Sequence, residues 1–156
     1  MENKKEQSKT RQLAAKVIFE AFKILKDAGG EMRGKEVMEN IQKNINFNEW
    51  ESEVYKKSGY IRWQSILHFF TIDCIKAGFL RKNKGVWTLT KEGEETMKLG
   101  PVDLLDKATE LYWKWADSAE KLKDENQDEL ELKSEAGQLQ KANLEQLEDK
   151  SVGPGN

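Results

Sequence analysis

The stretch that decides the fold is "KAGFLRKNKGVWTLTKEG", which runs from Lys76 to Gly93. Two short β-prone runs, Phe79–Lys82 and Val86–Thr90, flank the turn Asn83-Lys84-Gly85. A turn that ends in glycine between such runs is typical of a β-hairpin. No acidic residue interrupts the stretch before Glu92. Its cations around the turn are Arg81, Lys82, Lys84 and Lys91. Because surface turns usually mix charges of both signs, the pattern predicts a hairpin with a positively charged surface.

Upstream of the hairpin, apolar residues recur at helical spacing in three segments. The first predicted helix starts at Leu13 and stops at Gly29-Gly30, the second covers Gly34–Ile45, and the third covers Ile61–Ala77. The third has the widest apolar stripe, so we expect it to be central to the core. The span Asn46–Gly59 fits one or two further helical turns. Helices followed by a basic two-stranded wing describe a winged helix-turn-helix, whose last helix can enter the major groove of DNA.

The predicted fold class is therefore mainly α with a small β-hairpin wing: a winged helix-turn-helix followed by an extra C-terminal helix and a polar tail. The break at Gly100-Pro101 separates the winged domain from the extra helix, for which Asp103 is the predicted N-cap. The predicted units are a flexible N-terminus at 1–12, a winged-helix domain at 13–100, an accessory or interface helix at 101–122 and an acidic helical or disordered tail at 123–156.

Charge is distributed unevenly along the 156 residues, although the formal net charge is only -2. Between Tyr60 and Lys91 there are six cations against the single acid Asp73, and acids dominate past Asp103. This asymmetry indicates a polyanion-binding surface joined to a solvated tail. The lone Cys74 excludes an intramolecular disulfide. No signal peptide and no apolar run of about 20 residues is found, which predicts a cytoplasmic protein without a membrane partner.

Two further stretches, "RGKEVMENI" (Arg33–Ile41) and "GYIRWQSILHFF" (Gly59–Phe70), together with the hairpin stretch, resemble the N-terminal winged-helix domain of Mrr-type restriction endonucleases. In that family a helix carrying Arg and Trp leads to a Lys-Ala-Gly stop, then to Gly-Val-Trp and Thr-x-x-Gly. The likeness covers about residues 14–99. It implies binding of double-stranded DNA in a restriction, defence or regulatory context. The PD-(D/E)-x-K nuclease domain that usually follows is not found; Glu131-Leu132-Lys133 matches a fragment of it but has no strands to present it.

The residues predicted to contact DNA fall into three groups. They are Arg81, Lys82 and Lys84 on the wing, Gln64, Ser65, His68 and Thr71 on the central helix, and Tyr60 and Arg62 before that helix. Wing cations can neutralise phosphates and release counterions, so binding should weaken steeply with salt. The helix offers few polar groups for reading base edges, which favours shape-dependent or modest sequence preference.

Each of these features also has a simpler structural explanation. The hairpin cations could serve only to keep an exposed edge soluble. Trp63 and Trp87 fit core positions better than base-stacking ones. His68 is the only histidine and Cys74 fits an apolar face, so neither predicts a metal ligand or a catalytic group. We expect no enzyme activity, no cofactor and no metal.

A second hypothesis concerns the accessory helix. Its aromatic residues lie on more than one side, which is typical either of packing on the winged domain or of an interface with another subunit. The predicted interface residues are Leu111, Tyr112, Trp113 and Trp115. In this reading the chain is an adaptor that forms a homodimer or recruits a hetero-partner. A third hypothesis is a targeting subunit whose nuclease is a separate polypeptide.

Overall fold

The computed structural model describes the backbone of residues 8–122 and the side chains of residues 8–118. The predicted acidic tail at 123–156 and the first seven residues lie outside this described part. The elements, in chain order, are α1 Lys9–Asp27, β1 Glu31–Arg33, α2 Gly34–Asn44, α3 Arg62–Lys76, β2 Leu80–Asn83, β3 Val86–Leu89, α4 Lys91–Thr96 and α5 Pro101–Leu122, with a 3-10 turn at Met97–Leu99. Among the described residues, no helix is both long and apolar enough to cross a membrane.

The helix α1 begins earlier than its apolar pattern predicted. Ser8 is its N-cap, and the Ser8 side chain accepts a hydrogen bond from the Arg11 backbone N–H. Residues 9–12, predicted to be flexible, are therefore helical. The predicted stop is confirmed, because the Gly30 N–H reaches back to the Leu25 carbonyl at 2.8 Å while Gly29 has a φ of 89°.

Three helices, α1, α3 and α5, pack against one another and form the core. The predicted central position of α3 is confirmed by the burial of Trp63, Leu67 and Cys74 along one of its faces. The first half of α5 covers the same core through Leu104, Leu105 and Ala108. The N-cap predicted at Asp103 is wrong, since α5 already begins at Pro101 and the Leu104 N–H bonds to the Gly100 carbonyl.

The small sheet has three antiparallel strands in the order β1-β3-β2. The predicted hairpin of β2 and β3 is present, and β1, which the sequence did not predict, pairs with the other side of β3. Side chains alternate across this sheet. The inner face carries Leu80, Lys82, Trp87 and Leu89, which are all buried. The described residues thus form a winged helix-turn-helix with an added C-terminal helix, and the predicted fold class is confirmed.

The connection between α2 and α3, residues 45–61, is a folded lobe with two separate turns, at 49–52 and 56–58, and no continuous helix. Each turn is closed by one helical hydrogen bond, from the Ser52 N–H to the Asn48 carbonyl and from the Gly59 N–H to the Tyr55 carbonyl. The Asn48 side chain accepts a hydrogen bond from the Glu51 N–H at 2.8 Å, and the Glu51 carboxylate accepts one from the Asn48 N–H at 3.0 Å. After the first turn, Val54 forms an antiparallel bridge with Ile61, and the second turn lies between the two bridged residues. The sequence predicts one or two further helical turns in Asn46–Gly59, and the structure has two isolated turns there.

Candidate nucleic-acid interface

Three cations stand on the outer face of the wing. Lys84 and Gly85 form a two-residue turn with φ values of 52° and 84°, the backbone signs of a type I′ hairpin. Alternation directs Arg81 outward, and the register places Arg33 of β1 opposite Val86. The Arg33 guanidinium lies 4.0 Å from the point where a Cβ on Gly85 would stand. We call Arg33, Arg81 and Lys84 the wing cation cluster; all three are exposed, and none forms an ion pair within the described part of the chain.

Arg33 was not among the predicted site residues. The sequence contained one usable signal, since Arg33-Gly34 opens one of the stretches that carry the family resemblance. The strand that brings Arg33 to the wing has only three residues, and it exists only through its pairing with β3. Its position was therefore not readable from local pattern alone.

Lys82, predicted to contact phosphate, lies on the inner face of the wing. It is only 9% exposed, and its Nζ is 4.6 Å from the centre of the Trp87 ring. The Trp87 ring in turn meets the His68 ring edge-on, with 6.0 Å between ring centres. Lys82, Trp87 and His68 thus form one stack that joins both wing strands to α3. The prediction that Trp87 is a core aromatic is confirmed.

His68 is held as a neutral imidazole. Burial and the nearby positive charge of Lys82 lower the pKa of His68 to about 4. At neutral pH it can donate and accept hydrogen bonds but carries no charge toward a phosphate.

The other polar residues of α3 differ in how accessible they are. Gln64 and His68 are partly exposed, whereas Ser65 and Thr71 are buried. The Thr71 hydroxyl donates a hydrogen bond to the His68 carbonyl at 2.6 Å. Of the residues predicted to read bases, the structure therefore leaves Gln64 and His68 with accessible surface. Helical periodicity could not show this, because it does not reveal which neighbouring element covers the polar side.

Arg62 is the first residue of α3 and lies inside the protein. It is 3% exposed, and its Nη1 donates to the Glu53 carboxylate at 2.5 Å and to the Trp50 carbonyl at 2.9 Å. Its guanidinium also stacks on the Trp50 ring at 4.5 Å and lies 5.3 Å from the Tyr55 ring. These contacts make it an anchor for the α2–α3 connection. Tyr60, the other residue predicted near this helix end, is partly exposed.

The predicted interface residues of α5 are also divided by the structure. Trp113 is 65% exposed, whereas Leu111 packs partly against the core. The Tyr112 and Trp115 rings lie 5.7 Å apart, and the Lys76 Nζ is 4.1 Å from the centre of the Trp115 ring. The Tyr112 ring also meets the Trp113 ring edge-on, with 5.3 Å between ring centres. Three of the four residues thus form one aromatic group, of which Trp113 is the exposed member.

A partly buried carboxyl, that of Asp73, lies where α3, α1 and α5 meet. Asp73 accepts a hydrogen bond from the Thr109 hydroxyl at 3.1 Å, and Thr109 accepts one from Arg11 at 3.2 Å. Burial raises the pKa of Asp73 to about 6, although the Thr109 hydrogen bond and the Arg11 charge oppose the rise. Burial, with the Asp73 charge beside it, also raises the pKa of Tyr112.

The described residues bring no three His, Cys, Asp or Glu side chains into a group that could hold a metal. Cys74 is fully buried, and its burial raises the pKa of its thiol. The thiol is therefore protonated and packs as a small apolar group, as predicted.

The motif residues of the sequence contact one another across the fold. A Cβ on Gly34 would collide with the Trp87 indole, so this glycine lets the wing tryptophan lie against the start of α2. The Thr90 hydroxyl donates to the Gly78 carbonyl at 2.6 Å and accepts the Gly93 N–H at 3.0 Å, which caps α4. Each quoted stretch thus contributes to a single packing unit around the wing.

Comparison with known families agrees with this arrangement. The model of the Mrr N-terminal domain matches residues 15–98, which is more than half of the 156-residue chain. No curated protein and no solved structure is significantly similar to it. Mrr N-terminal domains are associated with restriction systems. With its winged fold, its Arg33-Gly34 and Gly-Val-Trp elements in contact and this match over the whole winged unit, the chain belongs to the Mrr N-terminal domain family.

Proposed function

We propose that this chain binds double-stranded DNA. The wing cation cluster contacts backbone phosphates, and the accessible side of α3, with Gln64 and His68, faces the major groove. One observation carries the proposal: three exposed cations without ion pairs among the described residues share the outer face of a wing that is fastened to α3. Membership in a restriction-associated family supports the same assignment.

The energetics of this interface are mainly electrostatic. Each neutralised phosphate adds about 0.9 to the slope of log affinity against log salt. Base contacts are few because Ser65 and Thr71 are buried and His68 is neutral. We therefore expect strong salt dependence and modest sequence preference, with the duplex recognised largely through its shape. Lys82 acts indirectly in this proposal, since it holds Trp87 and thereby the wing.

The first test is the double variant Arg81→Glu with Lys84→Glu. Fluorescence anisotropy with duplexes, with and without methylated bases and at two salt concentrations, should show micromolar or tighter binding by the wild type. The variant should lose about a hundredfold in affinity, and its salt slope should fall by about 2. The matched control, Lys107→Glu with Lys114→Glu, places the same charge change on exposed positions of α5 and should bind with close to wild-type affinity.

Two results would contradict the proposal. One is the absence of duplex binding by the wild type at low salt. The other is an equal loss of affinity in the wing variant and the α5 control, because that would show a response to net charge alone. The proposed role is binding without cleavage, so metal-dependent cutting of the duplex by the purified chain would also require a different assignment.

A second candidate function is favoured by Trp113. A tryptophan that is 65% exposed, beside the partly buried Tyr112 and Trp115, is the kind of residue that anchors protein interfaces. The adaptor hypothesis predicts that multi-angle light scattering detects a dimer or a stable hetero-complex. Trp113→Ala should shift it to the monomer and leave duplex affinity within about twofold of wild type, provided that assembly and DNA binding are separate.

The control for that measurement is Asp117→Ala, an exposed residue four positions further along α5. It should leave the mass distribution unchanged. A wild-type chain that is strictly monomeric at high concentration, with no co-purifying partner, would rule against the adaptor hypothesis.

A further inference from the structure

A groove lies between the end of α3 and the wing. It has a volume of about 450 Å³, and we call it the wing-root groove. The apolar residues Ile75 and Leu80 line it, together with Arg81, Thr88 and Glu92. Thr88 is the register partner of Arg81, so both belong to the outer face of the hairpin. Among the described residues β2 is an edge strand of the sheet, and the groove therefore runs beside an edge.

The wing-root groove combines one accessible cation with apolar surface. Its second cation, Lys82, is buried over the Trp87 ring, whereas Arg81 is exposed. Glu92 is the only acid in the lining, and no ion pair joins it to Arg81. Ile75 is partly exposed, so it offers apolar surface next to this guanidinium. Such a groove suits a peptide segment that carries both carboxylates and apolar side chains.

The helix α5 leads the chain toward the same end of α3. The Thr109 hydroxyl bonds to Asp73 at 3.1 Å, and further along α5 the centre of the Trp115 ring lies 4.1 Å from the Lys76 Nζ. Both helices therefore run in the same direction here, and the residue before Lys76 lines the wing-root groove. After Trp115, α5 continues for about 10 Å to its end at Leu122. The residues that follow α5 thus begin on the side of the molecule where α3 ends.

The sequence that follows α5 is strongly acidic. Residues 124–132 read DENQDELEL, with five acids and no cation, and we call them the acidic segment. At its end, Leu130 and Leu132 alternate with Glu129 and Glu131. When a chain is extended, this spacing puts both leucines on one side and both carboxylates on the other. One side then matches the apolar lining of the wing-root groove, and the other matches Arg81.

We propose that the acidic segment occupies the wing-root groove of its own chain, with the carboxylates of Glu129 and Glu131 at Arg81 and the two leucines toward Ile75. Because Arg81 belongs to the wing cation cluster, the segment competes with DNA and is autoinhibitory. The competition rests on the proposed function, whereas the contact itself forms without DNA. The helix α5, which leads into the segment, lies outside the residues 15–98 that the family model matches.

The strength of this competition is limited by the effective concentration of the segment. A segment joined to its site by a short stretch of chain has an effective concentration on the order of 1 mM. For a contact with a Kd of roughly 0.2 mM, occupancy of the groove lowers the apparent affinity for duplex about fivefold. The acidic segment therefore reduces DNA binding without abolishing it, and its removal from the groove should give a measurable gain in affinity.

The test uses the full chain with four acids of the segment neutralised. The segment variant combines Glu125→Gln, Asp128→Asn, Glu129→Gln and Glu131→Gln. The matched control neutralises three glutamates and one aspartate outside the segment, by Glu135→Gln, Glu145→Gln, Glu148→Gln and Asp149→Asn. In the same anisotropy titration near 0.1 M salt, duplex affinity should rise about fivefold in the segment variant and less than twofold in the control. Both variants change the net charge equally, so the comparison isolates the position of the charges.

A measurement without DNA tests the contact itself. In two-dimensional amide NMR spectra, the Arg81 and Thr88 signals of the segment variant should differ from those of the wild type, while the control should match the wild type. Leu130→Ser with Leu132→Ser keeps every charge and should shift the same signals, because the leucines take part in the contact. These differences should be equal at low and high protein concentration, since the segment belongs to the same chain.

The outcomes separate this inference from the proposed function. NMR differences at the groove in a wild type that fails to bind duplex support the contact and overturn the proposed function. Identical groove signals in the wild type and the segment variant overturn the contact, even where duplex binding is found. Equal gains in affinity in the segment variant and the control also overturn it. Signals that change with protein concentration assign the groove to the segment of a second copy and overturn the arrangement within one chain.

Discussion

Gly93 stands where the fold has no room for a side chain. A Cβ at this position would collide with the Phe79 carbonyl oxygen and with a methyl group of Leu89. The Gly93 N–H is also the group that the Thr90 hydroxyl caps. The Thr-x-x-Gly spacing therefore meets two structural requirements. Thr90 caps α4, and Gly93 lets α4 lie close to the chain that enters β2.

We expect Gly93→Ala to lower the free energy of unfolding by about 2 kcal/mol, because the added methyl group must displace backbone as well as a side chain. Urea unfolding followed by circular dichroism measures the change. Glu95→Ala in the same short helix is exposed and should change the stability by about 0.5 kcal/mol or less. Equal stabilities for the two variants would show that the region relaxes around the methyl group.

The sequence marked Gly93 as part of a family motif, but the motif did not reveal the contact. The whole hairpin separates Phe79 from Gly93 along the chain, so the collision exists only after the strands have paired. Lys82 illustrates the same limit. Its register partner across the hairpin is Trp87, which places both on one face, and a prediction based on charge alone had placed it with Arg81.

At the scale of elements, the sequence correctly predicted the helices and strands that interactions between neighbouring residues form. The hairpin was found from its turn and α3 from its apolar stripe, and the structure has both. The strand β1 was missed because its three residues carry no β pattern and are ordered by β3. The sequence does not settle the α2–α3 connection, because an ion pair between the buried Arg62 and the exposed Glu53 organises it. The spacing of apolar residues along the sequence gives no information about such a contact.

On the polar face of α3, the packing of neighbouring elements determines which side chains remain accessible. Sequence reasoning placed Gln64, Ser65, His68 and Thr71 on one less apolar side. The wing stack through Trp87 and the packing of the helix bury part of that side, and only Gln64 and His68 keep accessible surface. About half of this predicted group therefore stays available for the proposed interface.

At the scale of the whole molecule, two partly buried groups, Asp73 and His68, change the stability in opposite directions as the pH changes. The raised pKa of Asp73 means that the folded state keeps a proton that the unfolded chain releases between about pH 4 and 6. This contribution to stability therefore falls as pH rises through that window. The lowered pKa of His68 means that the unfolded chain takes up a proton below about pH 6.5 that the folded state refuses until about pH 4. This second contribution rises with pH through nearly the same window.

We therefore expect Asp73→Asn to stabilise the fold at pH 7.5 by about 2 kcal/mol, with the gain vanishing toward pH 4. His68→Gln should remove the contribution to stability that rises with pH. The stability of the wild type relative to this variant should therefore grow with pH between about 4 and 6.5. Chemical unfolding at a series of pH values measures both. Asp106→Asn is the control, because that carboxylate is exposed and also pairs with Arg11. A pH-independent effect of Asp73→Asn would mean that the Asp73 carboxyl does not change its protonation in this range.

The stack of Lys82, Trp87 and His68 has a consequence for the partner as well as for the fold. Because this stack fixes the wing against α3, we expect the distance between the wing and α3 to stay constant when the protein binds duplexes of different groove width. In the proposed complex the DNA bends and its grooves change width instead. We therefore expect preferred binding at base steps that deform easily.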